Sequence, residues 1–188
     1  MHEQYRWKYW VWALLSVPAV YALLRYGTDT ISYGQALHET GDWSVGLLCL
    51  ALAVTPLRRI APASRWPRRL MYHRRAIGVA SFAYAAIHTL LYLQRKWGFG
   101  LIQKEALEIG IATGWFALLI MLLLAATSND YSVRSLRRNW QRLHRAVYFA
   151  AAATLAHWVL TALDPTTAYI ACGALVLVQA LRFIRRRV

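Results

Sequence analysis

Acidic residues are scarce in this chain: eight, against 22 lysines and arginines, for a formal net charge of +14 over 188 residues. None of the eight falls inside the apolar blocks at 9–24, 43–57, 76–93, 109–127, 146–163 and 166–181. Proton pumps and cation transporters generally work through an intramembrane carboxylate, so that class is disfavoured. Cysteine is sparser still, at two. Cys49 and Cys172 stand singly within apolar blocks, with no CxxC for thiol–disulfide exchange and no CxxCH for covalent haem attachment. Strand alternation, low-complexity tracts and an internal repeat are not evident. No segment is long enough for a second, soluble domain, so residues 1–188 read as a single domain.

Hydrophobic residues make up 59% of the chain. That content coexists with a charge of +14 only if apolar and charged residues are segregated, and they are. Each block is near the roughly 20 residues that cross about 30 Å of hydrocarbon, although the second and sixth are short. The expectation is an all-α membrane protein, a six-transmembrane-helix bundle. Arg6 and Lys8 precede the first block as in a signal peptide, but no small-x-small cleavage site follows, so it is expected to be a retained helix. With six spans, the side holding both termini carries 18 basic residues and two acids, and the other side four basic residues and six acids. The positive-inside rule then places both termini in the cytoplasm. The basic excess reads as topology and lipid contact rather than nucleic-acid binding.

The connections are compact. "TPLRRIAPASRWPRRLMY" is the most basic, and Pro56, Pro62 and Pro67 are expected to break helices there. "TSNDYSVRSLRRNWQR" reads as a loop entering a helix capped by Ser132 or Ser135. "QRKWGFGLIQKEALEIG" is amphipathic, with Trp97 and Phe99 as interfacial anchors.

Six histidines remain to be explained. His2 and His38 fall in terminal or loop positions and read as solvated surface. His88 lies five residues from the outer end of the third block, and His157 six from the outer end of the fifth. At about 1.5 Å per residue both sit roughly 8–9 Å below the outer boundary. An ionisable residue at such depth is a functional candidate, and a neutral imidazole is a good axial ligand for iron. Two at one depth could hold a haem between two helices. Ala85 and Ala86 flank His88, and Ala153 and Ala156 flank His157, leaving room for a flat macrocycle. The plainer alternative is a pair of interhelical hydrogen-bonding histidines. His73 and His144 would form a second, cytoplasmic layer. On a straight helix His73 stands about 60° off the His88 face, and His144 about 140° off the His157 face. A second haem at His144 therefore needs a distorted helix or another approach angle. Arg74 and Arg75 could hold haem propionates, a flavin phosphate or lipid phosphates.

"TPLRR", "RRAIG…AAIH" from Arg74 to His88, and "NWQRLHRAVY" followed by His157 together resemble the ferric-reductase-like transmembrane family, over nearly the whole chain. Within it the order is most similar to the haem-binding membrane subunits of bacterial periplasmic methionine-sulfoxide reductase systems. The resemblance implies a b-type cytochrome of the inner membrane holding one or two haems. Its implied partner is a periplasmic molybdenum-cofactor enzyme that reduces methionine sulfoxide in proteins. Its implied donors are the quinone pool or a cytoplasmic flavin reductase, with FMN a further cofactor of the family. By position His88 and His157 match the outer haem pair and His144 an inner ligand. Larger relatives carry a histidine fourteen residues before the outer ligand, where this chain has Arg74, with His73 beside it. The FAD- and NADPH-binding domain of those relatives is missing here, so the chain reads as an electron-transfer subunit rather than the catalytic one. Two other classes compete. A stand-alone ferric or cupric reductase would need no partner, and a transporter with structural histidines would be colourless.

Overall fold

The computed structural model describes residues 2–97 and 102–181. They form α1 (His2–Gly27), α2 (Tyr33–Ile60), α3 (Arg65–Trp97), α4 (Ile102–Glu105), α5 (Ile109–Ala126), α6 (Asp130–Leu136), α7 (Arg138–His144), α8 (Val147–Thr161) and α9 (Thr166–Ala180). Side chains of residues 2–8, Trp97 and Gln103 lie outside the description. So do Phe99 and Arg182, Arg185, Arg186 and Arg187. The readings of His2, Arg6 and Lys8, of the Trp97 and Phe99 anchors, and of the terminal arginines therefore fall outside the described residues.

The protein is all-α and multi-pass, but the six-span expectation is overturned. Among the described residues three helices are long and apolar enough to cross a membrane: Tyr33–Ile60, Arg65–Lys96 and Ile109–Ala126. The fifth block fails because its helix, α8, has only 15 residues, about 22 Å at 1.5 Å per residue. The same holds for α9, also 15 residues. In α1 much of the apolar surface comes from Tyr9, Trp10, Trp12 and Tyr21, rings that favour the interface over the hydrocarbon centre. Conversely, α2 and α3 reach well beyond their blocks. The first turns of α2 place Glu39 and Asp42 in the same helix as the second apolar block, ahead of that block. Arg25 pairs with Glu39 at 3.0 Å.

The prolines explain part of the extension. Pro67 is the third residue of α3, where a helix leaves backbone N–H groups unpaired and a missing one costs little. Pro56 lies inside α2, buried, and the helix runs on to Ile60. Only Ala61–Ser64, with Pro62, forms the turn. Ser32 opens α2 with a reciprocal capping box, its Oγ accepting from Gln35 N–H while Gln35 Oε1 accepts from Ser32 N–H. Such a cap contributes about 1 kcal/mol. At α6 the cap is Asn129, which accepts from Ser132 N–H at 2.8 Å, rather than Ser132 or Ser135.

Two helix pairings dominate, α2 with α3 and α5 with α8, joined by contacts of α3 with α5 and of α2 with α8 and α9. The α2–α3 seam is clasped by Ser44 and Ser81, both buried, each hydroxyl donating to the other residue's carbonyl at 3.0 and 2.7 Å. Small hydroxyl residues let membrane helices approach closely, at about 0.6 kcal/mol per interhelical bond. Tyr84 fastens α1 to α3. Its hydroxyl accepts from Ala19 N–H and donates to Leu15 carbonyl, both at 2.9 Å. It thus enters the α1 bond ladder beside Pro18, where the ladder already lacks a donor.

Candidate haem site between His88 and His157

The two helix pairs each contribute one imidazole to a shared cavity. His88 comes from α3 and His157 from α8, and their ring centres stand 6.3 Å apart with planes at 87°. His88 Nδ1 lies 2.9 Å from Leu37 carbonyl on α2. His157 Nδ1 lies 2.7 Å from Gly110 carbonyl on α5. A carbonyl only accepts, so each Nδ1 carries the hydrogen. Each neutral ring then keeps its lone pair on Nε2, the atom free to bind a metal. A partner on the other ring nitrogen is the usual support of a metal-binding imidazole; it fixes the tautomer and raises ligand basicity.

Glycine makes both contacts sterically feasible. A Cβ on Gly41 would meet His88 Nδ1 at 3.1 Å, and one on Gly114 would meet His157 Nδ1 at 2.8 Å. In each case the glycine lies four residues after the accepting carbonyl, one helical turn along the partner helix. Gly110 serves a second purpose: its missing Cβ would stand 3.1 Å from the Thr161 side chain, so α5 and α8 pack closely.

The cavity holds about 410 Å³, within the roughly 300–1,000 Å³ of small-molecule and cofactor pockets. Val45, Leu118 and Met121 give it apolar walls, and Trp115 and Trp158 give it aromatic ones. Of the four alanines expected to flank a macrocycle, Ala85 lines it. Thr154, one turn before His157, also lines it, and its buried Oγ1 has no hydrogen-bond partner. Haem fits these residues. The two rings, 6.3 Å apart with their Nε2 atoms unused by the protein, are the neutral nitrogen donors that haem iron takes.

His38 is exposed, as expected, but it belongs to α2 rather than a loop. With Asp42 it lines this cavity and a neighbouring one of about 680 Å³ between α2, α8 and α9. The sequence gives one signal for both residues, the polar stretch just before the second apolar block.

The inner-layer residues each have partners of their own. His144 ends α7, stacked on Trp140 with ring centres 3.9 Å apart, and its Nε2 lies 3.1 Å from Thr127 Oγ1. Trp140 Nε1–H donates to Thr127 carbonyl at 2.9 Å. Residues 145–146 form a turn before α8 begins, so His144 and His157 do not share one straight helix. Burial holds the His144 pKa below the ordinary histidine value, and the Arg74 and Arg75 charges add to that. His73 packs edge-on against Tyr72 at 4.9 Å. Arg74 Nε donates to Ala51 carbonyl at 2.9 Å, and Arg75 pairs with Asp130 at 2.6 Å.

Residues 40–155 match the family model of the ferric reductase like transmembrane component. A protein of Ralstonia nicotianae named protein-methionine-sulfoxide reductase heme-binding subunit MsrQ is 35% identical over 157 residues, covering 79% of this chain and 70% of its own. The protein of that name in Brucella ovis is 32% identical over 165 residues, covering 83% of this chain and 72% of its own.

Proposed function

The chain belongs to the ferric reductase like transmembrane family, and from that premise we propose that it is a b-type haem subunit for transmembrane electron transfer. The observation that carries the reading is the pair of imidazoles, 6.3 Å apart, each with its Nδ1 on a backbone carbonyl. His88 and His157 would hold the haem iron through their Nε2 atoms. Bound there, haem supplies one-electron redox chemistry without proton transfer to a substrate. The chain's own residues fix the ring orientations, through Leu37 and Gly110, and surround the site with apolar and aromatic side chains.

The kinship with MsrQ supports a finer assignment. The chain would lie in the bacterial inner membrane and deliver electrons to the periplasmic molybdoenzyme MsrP, which reduces methionine sulfoxide in proteins. Electrons would come from the quinol pool or a cytoplasmic flavin reductase. A second carrier near His144 would shorten the path from the cytoplasmic face, as FMN, a quinol or a second haem, with Arg74 and Arg75 able to meet its anionic groups. His73 would be at most an auxiliary member of that layer.

The test is reconstitution of the purified protein in liposomes with quinol on one side and MsrP with an oxidised-methionine protein on the other. Sulfoxide reduction that needs both proteins is the expected result. Equal reduction of external ferric or cupric ions without MsrP would instead identify a stand-alone metalloreductase.

A further inference from the structure

The carbonyls that hold the two imidazoles share one more feature, a threonine three residues on. Thr113 Oγ1 donates to Gly110 carbonyl at 2.7 Å. Thr40 Oγ1 divides its bond between Ala36 carbonyl at 2.8 Å and Leu37 carbonyl at 3.0 Å. In the sequence this device is LHETG at 37–41 and GIATG at 110–114: accepting residue, two residues, threonine, glycine. It occurs once in each helix pair, with the glycine clearing space for the imidazole that the carbonyl receives.

Each carbonyl oxygen therefore serves a hydroxyl and an imidazole N–H, besides the N–H that an α-helix directs at it from four residues on. The oxygen has two lone pairs, so these donors compete. A hydroxyl that draws on the oxygen weakens its bond to the imidazole. The strength of that bond sets how basic the ligand is, and a more basic imidazole favours ferric over ferrous iron.

We propose that Thr40 and Thr113 are positioning residues that tune the redox equilibrium of the group held by His88 and His157, by sharing the carbonyls that hold those imidazoles. The proposal rests on the haem reading above. Thr113 acts more strongly, because its hydroxyl is committed to the carbonyl that His157 uses, whereas that of Thr40 is divided.

The experiment is an optical redox titration of purified holoprotein, comparing wild type with Thr113→Val, Thr113→Ser and Thr40→Val. Thr113→Val is expected to keep the low-spin spectrum while the equilibrium moves about two- to tenfold toward ferric, tenfold being about 59 mV for one electron. Thr40→Val is expected to move it the same way but less, and Thr113→Ser, which keeps the hydroxyl, to match wild type. An unchanged titration in both valine variants would overturn the proposal. So would an equal shift in Thr113→Ser, since that reports altered packing rather than a lost hydroxyl. Loss of haem from both valine variants would also overturn it, making the hydroxyls requirements for assembly instead. A wild-type protein without haem would sink the haem reading itself, and that outcome is distinct from all three.

Discussion

A methyl group on Gly114 would stand 2.8 Å from His157 Nδ1, nearer than carbon and nitrogen tolerate without displacement. Gly114→Ala is expected to push the imidazole off Gly110 carbonyl and weaken haem binding about 10- to 100-fold, the usual effect of losing a ligand's supporting partner. Gly41→Ala meets His88 Nδ1 at 3.1 Å, so a shift of a few tenths of an ångström relieves it and the loss should be smaller. Haem titration of the two variants checks the order. Away from the imidazole pair, His144→Ala is expected to slow electron input while most of the absorbance of the haem at His88 and His157 survives. Stopped-flow reduction by quinol, read beside the static spectrum, separates the two effects; complete loss of haem would count against a layered arrangement. How legible these residues are follows from what each depends on. His88 and His157 stand out in sequence because an imidazole at matched depth in two apolar blocks has few roles. Leu37 and Gly110 do not, because they act through backbone carbonyls that leave no trace in residue type.

Among the elements, α4 is the shortest and is held mainly by charge. Glu105 accepts from Lys96 Nζ at 2.6 Å and from Tyr92 hydroxyl at 3.1 Å. The Lys96 hydrogen bond is the chief cause that holds the Glu105 carboxyl below its usual range, with Tyr92 adding to it. The folded state therefore binds the proton less readily than the unfolded chain. This contribution is present above the ordinary Glu value of about 4.3 and is lost as pH falls through the lowered value. The exchange protection factor of Ala106 N–H, which donates to Ile102 carbonyl at 2.8 Å, is expected to be highest at neutral pH and to fall in acid, and Glu105→Gln should lower it throughout. The element boundaries were the least legible part of the sequence. Apolar blocks locate hydrocarbon-loving stretches, but α2 and α3 continue through polar turns because capping at Ser32 and the first-turn placement of Pro67 allow it. The fifth block, in contrast, loses Ala146 to the turn at 145–146 and Ala162 and Leu163 at its other end.

At the scale of the molecule, the chain is two helix pairs meeting at one cavity. The α2–α3 pair brings His88 and its carbonyl, and the α5–α8 pair brings His157 and its carbonyl. Neither pair supplies both imidazoles, so they meet only when the pairs are docked. Length and hydropathy alone suggested six spans, the second and sixth of them short; among the described residues three helices, α2, α3 and α5, are long and apolar enough to cross a membrane, with α1, α8 and α9 packed beside them. The all-α class and the histidine pairing were readable because they depend on residue type and spacing. The repeated threonine–glycine device was not, because five-residue similarity becomes meaningful only once both stretches are seen to face an imidazole.

The central claim is that His88 and His157 hold one haem between these pairs. Its most direct test is a reduced-minus-oxidised optical spectrum with pyridine-haemochrome quantification, on wild type, His88→Ala and His157→Ala. The expected result is a low-spin b-type spectrum in wild type whose outer-haem component disappears in both variants. A full low-spin spectrum retained in either variant, or a wild-type protein that takes up no haem on careful reconstitution, would contradict the account.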